Sequence, residues 1–219
     1  MSKHSPGEGV WADPQSGQRL AYRLWQPART DALLVVLHGF GEHGGRYGFF
    51  ARRFVERGIA VAAPDLPGHG RSEGRRGDLG PIQPSIARLR AMTEQVLLPA
   101  SGQTRYALFG HSFGGLAAIL WALDAPAALS RIIAQSPLLE IGFRIPMWKT
   151  VAAWALASCW PTYAFSMNLD VTALSHDPTV VEAYRHDPLV HNAMTVRTYW
   201  AILRARDEAG EPGVAGVED

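Results

Sequence analysis

Apolar and polar positions alternate in two rhythms along the first 137 residues. Residues 20–25 and 32–37 read as strands, the second an unbroken apolar run of the kind a strand needs when both faces are covered. Tyr47, Phe50, Phe54 and Val55 then recur at helical spacing, and Gly58 stands where such a helix would stop. The run IAVAAPD predicts a third strand. Ile86, Leu89, Met92 and Val96 mark one face of a helix from about Ser85. RYALFG predicts a strand, FGGLAAILWALD a helix and RIIAQSP a further strand. Repeated strand and helix predict an α/β fold, with a mostly parallel sheet flanked by helices.

Beyond Pro137 the alternation ends. Residues 138–203 read as mostly helical, broken at Pro146, Pro161, Pro178 and Pro188, and residues 204–219 hold little to bury and predict a disordered tail. The division expected is a core over 1–137, a helical cap over 138–203 and the tail. The longest uncharged run, 150–169, is near membrane-spanning length, but Pro161 and its polar residues favour a buried or interfacial amphipathic segment.

Composition narrows the classes. At 219 residues and 47% hydrophobic content the chain can bury one sizeable core, and a net charge of +1 provides no basic face for nucleic acid. The single Cys159 excludes an internal disulfide and reads as buried packing. With an N-terminus lacking an apolar signal core, it points to the cytoplasm.

The chemistry centres on Ser112. Gly110-His111-Ser112-Phe113-Gly114 fits G-x-S-x-G, the turn that exposes a nucleophilic hydroxyl above a sheet. With Gly and Ser near 7% of residues, chance alone would supply the pattern in roughly one chain in ten of this length. The strand before it, the helix after it and the small Gly115 add the context the pattern needs. The backbone N–H of Phe113 is one candidate oxyanion donor. His38-Gly39-Phe40-Gly41 follows the 32–37 strand and offers the N–H of Phe40 as the second, unless the segment is only a tight turn. His111 lies in the elbow with its ring expected to point away from the hydroxyl. His69 reads as a structural hydrogen-bonding residue.

The segments HGFGEHGGRY, APDLPGHGRSEGRRG, GHSFGG and SHDPTVVEAYRHDPLVH, in that order, resemble monoacylglycerol lipases and related lysophospholipases of the α/β-hydrolase superfamily. The resemblance covers about residues 8–203. It implies a serine esterase acting on a lipid ester through a Ser112 acyl-enzyme, with Phe40 and Phe113 as oxyanion donors and no metal or organic cofactor. It also implies an apolar cap over the site, with peripheral contact to a membrane surface. Within the last segment, Asp177 suits a helix cap and Pro178 the first helical position.

In the resembled family the triad acid and histidine follow the cap. Here no histidine follows His191, and the expectation is that the last two strands of the usual sheet are absent, leaving RIIAQ as an apolar edge. Glu140, His176, His186 and His191 are the remaining candidates, and no triad acid or base is identified among them. Without that base, turnover falls on the order of a millionfold. An inactive lipid-binding protein and a carboxylesterase or thioesterase on the same fold stay open beside the glyceride esterase.

Overall fold

The structure, a computed structural model, describes residues 5–139, 159–167 and 171–210. Six strands form one sheet in the order β1-β2-β4-β3-β5-β6: β1 (Gly7–Ala12), β2 (Arg19–Trp25), β3 (Ala32–Leu37), β4 (Ile59–Pro64), β5 (Tyr106–His111) and β6 (Leu129–Gln135). The pairs β1/β2 and β2/β4 are antiparallel, and the others are parallel. The sheet is the mixed, helix-flanked sheet of an α/β-hydrolase. Strand β1 escapes the apolar pattern because it is an edge strand with only Trp11 buried.

Period-two alternation in β3 divides the core. Leu33, Val35 and Leu37 join the larger cluster, whereas Leu34 and Val36 face the smaller one with Trp25, Val61 and Phe109. Helix α1 (Gly48–Val55) covers the smaller side through Ala51 and Val55. On the larger side lie α2 (Ile82–Met92), prolonged through a π turn to Ser101, and α3 (Phe113–Leu123). Helix α3 is buried almost all round, which explains its near absence of polar side chains. Its Trp121 is fully buried and donates to the Tyr106 hydroxyl at 3.1 Å.

Among the described residues beyond 158, strand as well as helix occurs where the sequence pattern suggests mostly helix. Two short strands, β7 (Ala164–Ser166) and β8 (Ala193–Thr195), pair antiparallel, with α4 (Pro178–Arg185) between them. The Asp177 side chain caps α4 by accepting from the Thr179 N–H at 2.8 Å, and Pro178 opens the helix, as their positions suggest. Helix α5 (Val196–Gly210) packs on α2 and α3, burying Ile202, Ala205 and Ala209 in the larger core cluster. Helix α5 thus runs across the expected boundary between cap and tail at 203 and 204. These alanines read as weakly apolar in isolation, yet their spacing from Ile202 gives one buried stripe. Residues 211–219 lie outside the described residues.

Cys159 is exposed rather than buried, beside Trp160 at 56% exposure, so the general tendency of cysteine to be interior gives way to a surface position. Most of the uncharged run, including 150–158, lies outside the described residues. Among those described, no helix is long and apolar enough to cross a membrane. Strand β6 stands at the sheet edge, and its Ile133 is 49% exposed.

Candidate active site

At the C-terminal end of β5 the chain reverses into α3 through Ser112, whose φ of 52° and ψ of −116° place a non-glycine residue in a conformation L side chains rarely adopt. The flanking glycines make the turn sterically feasible. A β-carbon at Gly110 would lie 2.1 Å from the Gly114 carbonyl oxygen, and one at Gly114 would lie 2.0 Å from that of Leu37. At Gly115 the added carbon would stand 3.0 Å from Pro137. The Ser112 N–H donates to Gln135 O at 3.0 Å, and its carbonyl accepts from Gly115, Leu116 and Leu138. The elbow is thus tied to both β6 and α3, with the serine side chain half-buried.

The loop after β3 lies alongside. The Phe40 and Phe113 rings meet edge to face with centroids 6.4 Å apart, so the structure brings together the two residues singled out for their backbone N–H groups. Gly114 packs against the carbonyls of Leu37 and His38, which sets the elbow directly under that loop. His38 is fully buried. Leu66 N–H donates to its Nε2 at 2.9 Å, so Nδ1 carries the hydrogen and donates to Gly39 O at 2.8 Å. Burial holds its pKa below the usual value, which keeps that tautomer neutral.

Glu42 braces the same loop, a role that the glycines of HGFGEH conceal. Its carboxylate accepts from the Gly39 N–H at 2.7 Å, the Tyr47 hydroxyl at 3.2 Å and Arg46 at 3.1 Å. Below it, the buried Asp65 at the end of β4 accepts from the Gly44 N–H at 2.7 Å, the Arg71 N–H at 2.9 Å and the Arg23 guanidinium at 3.3 Å. One carboxylate therefore pins both loops that rise from this edge of the sheet. The signal in the sequence is an acid at the end of an apolar strand, where burial makes a charge costly unless it is fully paired.

Residues 184–192 close over the loop. His43 accepts from the Gly45 N–H at Nδ1, so its Nε2 donates to Asp187 at 2.8 Å, and Arg46 stacks 4.5 Å from the centre of the Tyr184 ring. Burial acts to raise the Asp187 pKa, but the hydrogen bonds from His43 and the Leu189 N–H outweigh it and leave it below the ordinary value. His191 N–H donates to Gly41 O at 2.8 Å. Gly41, at φ 83°, has no room for a β-carbon, which would stand 2.4 Å from the His191 carbonyl oxygen.

The His191 ring lies 4.6 Å from that of His69 and 6.0 Å from Phe40. Both its ring nitrogens are buried, near the backbone of Gly68 and Ala193 but with no well-formed hydrogen bond among the described residues, and His69 Nε2 and His111 Nδ1 are likewise without one. Burial, reinforced by Arg76, lowers the His191 pKa to about 4, and burial with the neighbouring His38 and His191 holds His69 well below its usual value. His69 Nδ1 is bonded to Pro67 O at 2.9 Å, in keeping with a structural role. His176 and His186 are exposed, and His186 is bonded to Glu182 O in its own helix. Among the described residues no histidine ring is hydrogen-bonded to Ser112. Glu140 lies outside them.

A cavity of about 340 Å³ opens beside this cover, lined by Tyr184, Asp187, Val190, His191 and Asn192, though neither Ser112 nor Phe40 lines it. Among the described residues no group of three or more His, Cys, Asp or Glu is placed to hold a metal ion.

The family model described as serine aminopeptidase, S33, matches residues 28–213. The chain is 33% identical over 177 residues to a monoacylglycerol lipase of Mycolicibacterium smegmatis, covering 80% of this chain and 62% of the relative. It is 34% identical over 179 residues to human monoglyceride lipase, covering 81% of this chain and 58% of that one. A crystal structure of the Paleococcus ferrophilus monoacylglycerol lipase superposes with a TM-score of 0.72 at 28% identity, covering 94% of this chain and 71% of that one. The chain thus spans about three fifths of the length of these two curated relatives.

Proposed function

The chain belongs to the serine aminopeptidase, S33, family of α/β-hydrolases, and from that membership we propose a serine hydrolase of carboxylic esters, with monoacylglycerols as the substrate class. The observation that carries the reading is the strained Ser112, seated between glycines that admit no β-carbon. A left-handed serine is costly by about 1–3 kcal/mol, a strain that presents its hydroxyl outward. Ser112 Oγ attacks the ester carbonyl, the Phe40 and Phe113 N–H groups receive the developing oxyanion, the glycerol oxygen leaves with a proton, and water then releases the fatty acid. Residues 184–192, which close over the loop after β3, serve as part of the cover over the acyl group. The substrate class rests on the names carried by the relatives.

The base is not assigned. A histidine with a pKa near 4, such as His191, is poorly matched to removing a serine proton at neutral pH. That mismatch, with no histidine bonded to Ser112 among the described residues, favours a second reading in which the chain binds a lipid ester without turning it over. Mass spectrometry after incubation with p-nitrophenyl butyrate and with a monoacylglycerol separates the two. Serine esterase chemistry predicts a butyryl adduct on the Ser112 peptide and glycerol release, both lost in Ser112→Ala by at least about a thousandfold. Equal rates in the two proteins would overturn the assignment of Ser112, and ligand binding with no adduct would support the second reading.

A further inference from the structure

A second cavity, also about 340 Å³, lies where the loop after β4, the start of α2 and the start of α5 meet. It shares no lining residue with the cavity beside His191 and includes none of the residues around Ser112. Three guanidinium groups line it, from Arg75, Arg88 and Arg197, against a single carboxylate, Asp78. Asp78 is already committed. It accepts from Arg197 Nε at 2.7 Å and from the Gly80 N–H at 3.0 Å, so among the described residues the Arg197 charge is matched by a direct ion pair and those of Arg75 and Arg88 are not.

The two unmatched arginines differ in setting but share this lack. Arg75 is exposed, and among the described residues it has no carboxylate partner. Arg88 is half-buried. Among the described residues its acceptor is Ser85 Oγ, at 2.9 Å from Nη2, and its buried Nε has no hydrogen-bond partner. Five N–H donors with one acceptor leave a planar fork under-used, and a buried donor left unpaired is unfavourable. Neither of two other acids bonds to these guanidinium groups: Asp13, which the Arg88 charge reaches only through space, accepts from Ser16 and the Gln15 N–H, and Glu73 from the Arg19 N–H. Gln18 and Thr162 add neutral polar groups to the wall.

We infer that this cavity is a binding site for a phosphate ester, held by the guanidinium forks of Arg75 and Arg88 with Arg197 fixed by Asp78 as the far wall. Two guanidinium forks lining one cavity suit the tetrahedral oxygens of a phosphoryl group, to which arginine bonds in pairs, and a cavity of this volume accommodates a small organic phosphate. The ligand reaches the body of the protein and the segment following β8 at once, because the lining comes from both. The same chemistry could be presented by a free phosphate ester or by a phospholipid headgroup. The site does not depend on any role of Ser112.

Calorimetric titration of the 219-residue chain with sn-glycerol 3-phosphate at physiological salt tests the free form. Flotation with phosphatidylcholine vesicles, with and without phosphatidic acid, tests the headgroup. The expected result is saturable binding in at least one arm, weakened about tenfold or more by Arg75→Ala and by Arg88→Met, which keeps most of the side-chain stem. Arg57→Ala is the control, since that exposed side chain bonds only to Arg53 O. Binding only in the first arm identifies a free ester, and binding only in the second a membrane lipid. Absence of saturable binding in both arms overturns the site. So does binding weakened equally by the Arg57 control, which would mark general charge attraction.

Discussion

Gly114 illustrates how tightly a single position can be constrained. The atom that would replace its hydrogen falls 2.0 Å from the Leu37 carbonyl oxygen and 2.7 Å from that of His38, and backbone cannot yield as a flexible side chain can. Gly114→Ala is therefore expected to destabilise the fold by about 3 kcal/mol or more, read as a lowered midpoint in urea unfolding. An unchanged midpoint would mean the elbow can open without loss. The residues of the elbow were legible because steric demand selects a few small residue types at fixed spacing. Glu42 and Asp187 were not, since an acid in a polar loop looks the same whether it faces water or accepts several hydrogen bonds. Only the partners tell them apart, and these come from within the loop for Glu42 and from a segment 144 residues away for Asp187.

At the scale of elements, β3, β5, α1 and α3 were readable because each buries enough apolar surface to impose its own period. Strand β1 was missed, as its outward face is polar and its pairing with β2 is made through the backbone. The brief β7 and β8 were missed because three residues are too few for a period to register. Strand β6 was predicted correctly, including its apolar edge, and its Ile133 is half-exposed there. Apolar edge strands invite pairing with other chains, and a lysine on the edge opposes it. Ile133→Lys is expected to reduce concentration-dependent light scattering with the thermal midpoint little changed. Scattering equal to that of the parent chain would show that this edge does not drive association.

Across the whole molecule, three buried or half-buried imidazoles, His38, His69 and His191, resist protonation. Each has a folded pKa below the unfolded value, about 6.5, so as pH falls below there the unfolded chain binds protons that the folded chain refuses, for His191 down to about pH 4. Stability is accordingly expected to be fully present above about pH 6.5 and to fall as pH drops toward 4, with a slope of up to about 1.4 kcal/mol per pH unit for each histidine. Replacing His191 with phenylalanine should remove about one proton from this linkage, checked by urea titrations at pH 7 and pH 5. An identical pH dependence in the variant would place His191 in water rather than against Phe40. The lowered Asp187 pKa adds a loss in the same direction, confined to pH below about 4.

The cover over the loop carries a consequence for the order of assembly. His43 and Asp187 are 144 residues apart in the chain, whereas the strands of the sheet are joined by much shorter connections. Contacts across long loops form late, after the entropy of closing them has been met. The sheet and the elbow can thus be in place before the segment bearing Asp187 and His191 settles on Gly41. Asp187→Asn is then expected to speed unfolding severalfold while changing the refolding rate by less than about twofold in stopped-flow fluorescence. A slowed refolding limb would put the latch in the folding nucleus. If it forms late, a protein emerging from the ribosome carries its serine on a finished scaffold while the neighbouring loop is still unshaped, and the last event of folding is also the one that completes the site.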